Sequence, residues 1–147
     1  IADFLKKDIR VVYLPQKVFS MFPKGTTTLS LVESWAKIGG RFRTKQAYRE
    51  LAQHLSLDPL LDEIGYKHSE HLSGGQAQIL GLFLCFLRDP DVIFLDEPTA
   101  SISQAKRPAI QALVTQLASF DGRRRFVFVA SHDQAVLSIT SKRIQFP

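Results

Sequence analysis

The stretch Val92-Ile93-Phe94-Leu95-Asp96-Glu97-Pro98-Thr99-Ala100 decides the fold. Four apolar residues in a row, with no polar alternation, describe a strand covered on both faces, as in a parallel sheet. The run ends in two carboxylates and a proline. Open α/β sheets bind their ligands outside the carboxyl ends of the strands, so Asp96 and Glu97 stand where chemistry is expected. Working outward, Ile9 to Leu14 (IRVVYL), closed by Pro15, and Phe126 to Ala130 (FVFVA), followed by Ser131-His132-Asp133, read as two further buried strands. Arg143 to Phe146 is a candidate last strand.

Between the strands the period changes. Leu29 to Ile38, stopped by Gly39-Gly40, reads as a helix. Thr44 to Leu55 carries Tyr48, Leu51, Ala52 and Leu55 at the i, i+3, i+4, i+7 spacing of an amphipathic helix. Leu57 to Ile64 is a shorter apolar patch interrupted by Pro59 and closed by Gly65. A helix from Ser73 to about Leu87 is apolar on nearly every side and is expected to be buried. Gln104 to Leu117 carries a further helical stripe, Asp121-Gly122 a turn, and Phe19 to Thr28 a loop. Strands alternating with helices indicate an α/β fold around a parallel sheet. The helical stretch from about Leu29 to Leu87 is long for one crossover, which predicts a helical subdomain inserted between two strands.

Composition excludes several classes. The chain has 147 residues, 45% hydrophobic and 22% charged, which is globular and neither disordered nor fibrous. Its net charge of +5 is too small by itself to indicate nucleic acid. One cysteine, Cys85, permits no internal disulfide and fits a reducing compartment. The apolar run Ile79 to Leu87 is nine residues, far short of the roughly 20 of a membrane span. The chain starts at Ile1 and its one Met is Met21, so it reads as a piece of a longer protein. Arg41/Arg43/Lys45 and Arg123-Arg124-Arg125 read as solvated surface around turns, with a nucleic-acid or lipid-facing patch as the alternative. Phe19, Met21 and Phe22 are either core residues or an exposed docking surface.

Four features carry candidate chemistry. A strand-end Asp such as Asp96 is suited to holding Mg²⁺, and the adjacent Glu97 to polarising an attacking water. The same residues also describe an acidic turn. Ser73-Gly74-Gly75-Gln76, after Leu72, places an N-cap and bare glycine backbone at a helix N-terminus. Such a terminus either holds phosphate oxygens or is an ordinary capped helix. His132, just past a strand, can bridge a phosphate or be structural. Gln16 can ligate Mg²⁺ or a water through its carbonyl oxygen, or simply occupy a loop.

In order, Gln16, LSGGQ (72–76), VIFLDEPTAS (92–101) and SHD (131–133) resemble the nucleotide-binding domain of ATP-binding-cassette (ABC) proteins. They are similar to that family's Q-loop, signature motif, Walker B strand with catalytic Glu, and switch histidine, and the resemblance covers nearly the whole chain. It implies a P-loop NTPase-type parallel sheet, here partial, with an inserted helical subdomain. The implied layout is core strand and Q-loop over 1–28, helical subdomain with signature over 29–88, and catalytic core over 89–147. It implies ATP and Mg²⁺, with Asp96 holding Mg²⁺ through water, Glu97 as general base and His132 on the γ-phosphate. Gln16 would sense the metal. Ser73, Gly74, Gly75 and Gln76 would clasp the nucleotide of a second cassette. The implied partners are that second ATPase domain and a membrane permease, without nucleic acid, on the cytoplasmic, inner face of the cell membrane. The Phe-Pro loop after Gln16 is similar to that of the peptide and nickel importer branch.

The sequence also departs from the family pattern. No stretch matches the Walker A loop G-x-x-x-x-G-K-[ST], so the chain as given is expected to bind ATP poorly. The helix after LSGGQ carries Ala77, Ile79 and Leu84 where the family often has arginines. Ser101-Ile102-Ser103-Gln104 ends in Gln where the family's D-loop typically has Asp. The rival readings are a soluble ABC ATPase acting on DNA or ribosomes and a degenerate, non-hydrolysing ABC domain.

Overall fold

The computed structural model describes residues 8–100 and 102–142. Three parallel strands, β1 (Val11–Leu14), β2 (Val92–Asp96) and β3 (Phe126–Ala130), lie in the order β1-β2-β3. Val11 to Leu14 register against Val92 to Leu95, and Val92 to Asp96 against Phe126 to Ala130. All three strands therefore end at the same edge of the sheet. The candidate strand at Arg143 to Phe146 lies outside the described residues.

Four helices separate β1 from β2: α1 (Thr28–Gly39), α2 (Lys45–His54), α3 (Asp58–Ile64) and α4 (Gly74–Leu87). Thr27 and Thr44 cap α1 and α2 by accepting the Ser30 and Ala47 amide N–H groups. The interrupted patch at Leu57 to Ile64 is helix α3, because Pro59 falls in its first turn, where no amide N–H is needed. The loop after Gln16 contains a 3₁₀ turn, Val18–Met21. Phe22 is buried beneath Phe19, while Phe19 keeps 42% of its surface exposed. Between β2 and β3 a 3₁₀ turn (Gln104–Lys106) leads into α5 (Arg107–Ser119), and α6 (Gln134–Ser138) follows β3. The helix expected from Gln104 thus starts at Arg107, with Pro108 in its first turn.

α4 lies at the centre of the molecule. Leu80, Leu82, Phe83, Leu84 and Leu87 are almost wholly buried, as its all-round apolarity predicts. Cys85 is buried beside them, and loss of hydration pushes its thiol up to about 12, which keeps it unreactive. Two glycines set how closely α4 packs. A Cβ on Gly81 would meet Val18 Cγ2 at 2.6 Å and Leu14 Cδ1 at 2.8 Å. A Cβ on Gly39 would meet the Leu87 carbonyl oxygen at 1.9 Å. Since that neighbour is backbone, Gly39→Ala is expected to force α1 and α4 apart and destabilise the protein by roughly 1–3 kcal/mol. Urea unfolding checks this, and an unchanged midpoint would show that the two helices are free to separate.

Both faces of the strands are apolar, as expected, but the described residues cover only one of them. Val12, Leu14, Ile93 and Leu95 are buried against the helices. On the opposite face Val11, Tyr13, Phe94, Phe126 and Phe128 are all exposed, and Phe94 and Phe128 stack at 5.0 Å. The described helices cover one side of the sheet. The other side presents these apolar and aromatic side chains uncovered among the described residues.

The arginine clusters depart from the surface reading in part: Arg43, Lys45 and Arg124 are exposed as expected, but Arg41, Arg123 and Arg125 are ion-paired. Asp89, in the turn before β2, accepts from Arg10 (2.9 Å), Arg41 (3.4 Å), Arg123 (2.9 Å) and Arg125 (3.0 Å). Arg123 also pairs with Asp91, and Arg41 with Asp121. The Arg125 side chain is only 3% exposed. These arginines hold the amino-terminal ends of the strands together and tie the loop between α1 and α2 to the turn after α5. Arg125 is a buried counter-ion and Arg123 a half-buried one, while Arg10 and Arg41 pair from more exposed positions. Burial works to raise the Asp89 pKa, but the Arg125 guanidinium bonded to it, with Arg123 and Arg10 beside it, outweighs burial and holds it below the ordinary value.

Candidate functional site

The parallel register gathers four of the sequence-predicted positions at one edge. Gln16 follows β1 by one residue beyond Pro15, Asp96 ends β2, Glu97 follows it, and His132 comes two residues after β3. Gln16 is exposed and Asp96 half-buried. Asp96 Oδ2 accepts a hydrogen bond from the Tyr13 hydroxyl at 3.0 Å. That bond, with some burial and the carboxylate's charge, raises the Tyr13 pKa and keeps the phenol a donor.

Glu97 sits at the centre of the site. Its φ is +48°, in the left-handed region that glutamate rarely occupies. Its amide N–H donates to the Ala130 carbonyl at 2.8 Å, which holds this conformation against β3. Strained backbone of this kind concentrates at functional sites. The carboxylate accepts the His132 amide N–H at 3.1 Å on Oε1 and the Ser131 hydroxyl at 3.2 Å on Oε2. His132 Nδ1 lies 2.5 Å from Oε1. The Glu97 side chain is 18% exposed and that of His132 is 99% exposed. The carboxylate is thus fixed on one side by three groups of the segment after β3. The imidazole keeps its other nitrogen, Nε2, toward solvent.

The segment after His132 is anchored in turn. Asp133 caps α6 by accepting the Ala135 amide on Oδ1 at 3.0 Å, and takes the Thr99 hydroxyl on Oδ2 at 3.0 Å. Arg107 Nη1 reaches the same Oδ2 at 3.3 Å. Desolvation opposes ionisation of Asp133, but the Ala135 amide, Thr99 and the charge of Arg107 together lower its pKa. Tyr13, Thr99, Arg107, Ser131 and Asp133 were not singled out as site residues by the sequence. The Thr after DEP and the Ser and Asp flanking His132 gave a local hint. Tyr13 and Arg107 gave none, because they join the site only through the sheet register and the α5 crossover.

The signature segment stands apart from this centre. Ser73 Oγ accepts the Gln76 amide at 3.2 Å and Gln76 Oε1 accepts the Ser73 amide at 3.0 Å, a reciprocal capping box. Gln76 Nε2 also donates to Glu63 at 2.8 Å. The Gln76 side chain is therefore committed within the chain. The amides of Gly74 and Gly75, the first two of the fourteen-residue α4, have no acceptor among the described residues. Gly75 lies against Lys106 and Ile102, 3.4 and 3.9 Å from where a Cβ would be. Ser101, within the expected D-loop, lies outside the described residues.

The sequence profile of the ABC transporter family matches residues 3–100. The zinc transport system ATP-binding protein TroB of Treponema pallidum (strain Nichols) is 32% identical over 136 residues, covering 88% of this chain and 48% of that protein. The manganese transport system ATP-binding protein MntB of Bacillus subtilis (strain 168) is 29% identical over 133 residues, covering 89% of this chain and 52% of that one. This chain thus spans about half the length of the curated relatives it matches. Among solved structures, the dimeric structure of the bacterial ABC transporter cassette MJ0796 superposes with a TM-score of 0.69 at 23% identity. It covers 89% of this chain and 56% of that one. With a parallel sheet, a capped signature helix and Glu97 gripped at the end of the central strand, this chain belongs to the ABC transporter family and has the fold of its ATP-binding cassettes.

Proposed function

We propose that this chain is the part of a transport ATPase that supplies the water-activating carboxylate, the switch histidine and the signature loop. The full-length protein is about twice as long, as its relatives are, and its remainder supplies the phosphate loop. The observation that carries the reading is Glu97, held in a left-handed conformation and gripped by Ser131 and His132 at the carboxyl edge of the sheet.

The residues present fit Mg²⁺ bound with a nucleotide. The described residues contain no cluster of three or more His, Cys, Asp or Glu. One strand-end carboxylate and one amide oxygen suit an ion that keeps its waters and takes its other ligands from phosphates. Asp96 would hold it, with the Gln16 carbonyl oxygen as a further donor. When bound, Mg²⁺ neutralises charge on the β- and γ-phosphates. Glu97 orients the attacking water and accepts its proton, and His132 presents its free ring nitrogen to the γ-phosphate. The unpartnered Gly74 and Gly75 amides, at the positive end of α4, fit the γ-phosphate of a nucleotide carried by a second cassette.

In this reading residues 29–88 form the helical subdomain between core segments 1–28 and 89–147. The remainder of the full-length protein covers the apolar sheet face of Tyr13, Phe94 and Phe128. Residues 1–147 alone bind ATP weakly and do not hydrolyse it. The assembly drives a permease from the cytoplasmic side of the membrane. Divalent metal ions are the favoured cargo, after the zinc and manganese systems among the relatives. No helix among the described residues is long and apolar enough to cross a membrane.

Ser73→Arg tests this reading in the full-length protein. A cation at the start of α4 opposes the helix dipole where an anion is proposed to bind. ATP binding by the monomer is expected to persist. ATP-driven dimerisation is expected to weaken at least about tenfold, a change of about 1.4 kcal/mol. Phosphate release falls in parallel. Unchanged dimerisation by size-exclusion chromatography would mean that residues 72–76 only cap the helix.

A further inference from the structure

The grip on Glu97 does not end at its immediate neighbours. The Asp133 amide donates to Ser131 Oγ at 3.1 Å, and that hydroxyl donates to Glu97 Oε2 at 3.2 Å. Asp133 in turn is bound by Thr99 at 3.0 Å and by Arg107 at 3.3 Å. A continuous polar path therefore runs from the first residue of α5 to the carboxylate after β2. Arg107 is the cation of this path. Its side chain is 37% exposed, against 12% for Asp133, and its Nε is buried without a hydrogen-bond partner among the described residues. The guanidinium is thus seated in the protein with Nη1 turned to Asp133. Arg107 also directly follows Lys106, which lies against Gly75 of the signature helix.

Resting on the reading of Glu97 as the base of an ATPase, we propose that Arg107 is a positioning residue. Through Asp133 it fixes the Ser131–His132 segment against Glu97 and ties the base to the chain segment beside the signature helix. Arg107 itself touches no reacting atom. Its removal leaves Asp133 with the Ala135 amide and the Thr99 hydroxyl, so α6 stays capped and the fold persists. What is lost is the charged partner that holds Asp133 from the α5 side. The Ser131–His132 segment is then free to draw away from the carboxylate. The helix that carries Arg107 continues into the apolar core through Ile110, Leu113 and Leu117, so its start is a fixed point for such a tether.

The test compares Arg107→Met and Arg107→Lys in the full-length protein. Arg107→Met is expected to lower kcat about three- to tenfold, the effect of one half-exposed charge-assisted hydrogen bond, with KM for ATP within about twofold. Arg107→Lys keeps the charge and is expected to restore kcat to within about twofold of wild type. Amide hydrogen exchange gives a readout independent of turnover. The His132 and Asp133 amides, donors to Glu97 and Ser131, are expected to exchange at least about threefold faster in Arg107→Met but not in Arg107→Lys, since exchange follows local opening. The β3 amides are expected not to change. Unchanged exchange at His132 and Asp133 overturns the proposal, as does an unchanged kcat or a purely KM effect in an active enzyme. A wild-type protein with no ATPase activity defeats the reading of Glu97 as base, while exchange still decides whether Arg107 positions the segment.

Discussion

Glu97→Gln in the full-length protein is expected to lower steady-state phosphate release by about 10²–10⁴-fold, the range for loss of a positioned general base. The amide matches the carboxylate in shape, so its oxygen at the Oε1 position still meets the His132 amide and Nδ1, while its NH2 at the Oε2 position donates to the Ser131 hydroxyl instead of accepting from it. What the amide cannot do is accept a proton from water. ATP binding is therefore expected to persist, and ATP-driven dimers are expected to accumulate because they no longer turn over. Phosphate release and size-exclusion chromatography with ATP check the two halves of this result. A variant within about threefold of wild type in rate would remove Glu97 from the role of base. Its strained φ of +48° and its three hydrogen-bond partners would then belong to the architecture of the strand end alone.

Asp89→Ala is expected to cost about 3–5 kcal/mol of stability, the range for breaking a buried ion pair from one side. Four guanidinium groups converge on this one carboxylate. The Arg125 side chain, 3% exposed, cannot reach water when its partner is gone. Asp121, which also accepts from Arg125 at 3.3 Å, compensates only in part. The pH dependence follows from the depressed pKa of Asp89. A carboxylate held below its ordinary 3.8 contributes stability that is fully present above that value and is lost as pH falls through the folded-state pKa. The gap between wild type and Asp89→Ala is therefore expected to be widest near neutral pH and to narrow below 3.8. Urea unfolding at several pH values measures it. Arg124→Ala, on an exposed neighbour, is the control, expected within about 0.5 kcal/mol. An Asp89 variant as stable as that control would mean that the arginines are solvated in place.

Both predictions concern the ends of the same three strands. The amino-terminal ends are fastened by arginine–aspartate pairs, and the carboxyl ends present Gln16, Asp96, Glu97 and His132. Fastening one end fixes the register, and the register places Asp96 opposite Ala130. From there Glu97 meets the segment that carries His132.

The amino-acid sequence alone determined the strand at Val92 to Leu95, the capped signature helix and the positions of Asp96, Glu97 and His132. The reason is that each depends on local chemistry: an uninterrupted apolar run, a Ser before two glycines, carboxylates closing a strand. It also predicted the burial of α4, since a helix apolar on every side has no face to give to water. Pro59 misled it, because proline reads as a break until its place in the first turn of α3 is known. The arginine runs misled it at Arg41, Arg123 and Arg125, since charge in sequence does not say what lies opposite. Asp89, Asp91 and Asp121 stand opposite Arg123 and Arg41 only once β1, β2 and β3 are side by side. The grip of Ser131 and His132 on Glu97 and the tether of Asp133 to Arg107 are likewise contacts across 26 to 35 positions of chain. Local pattern specifies which residues are competent for the chemistry. Tertiary structure alone decided which of them meet, because that depends on the register of parallel strands and on the path of the helices that cross between them.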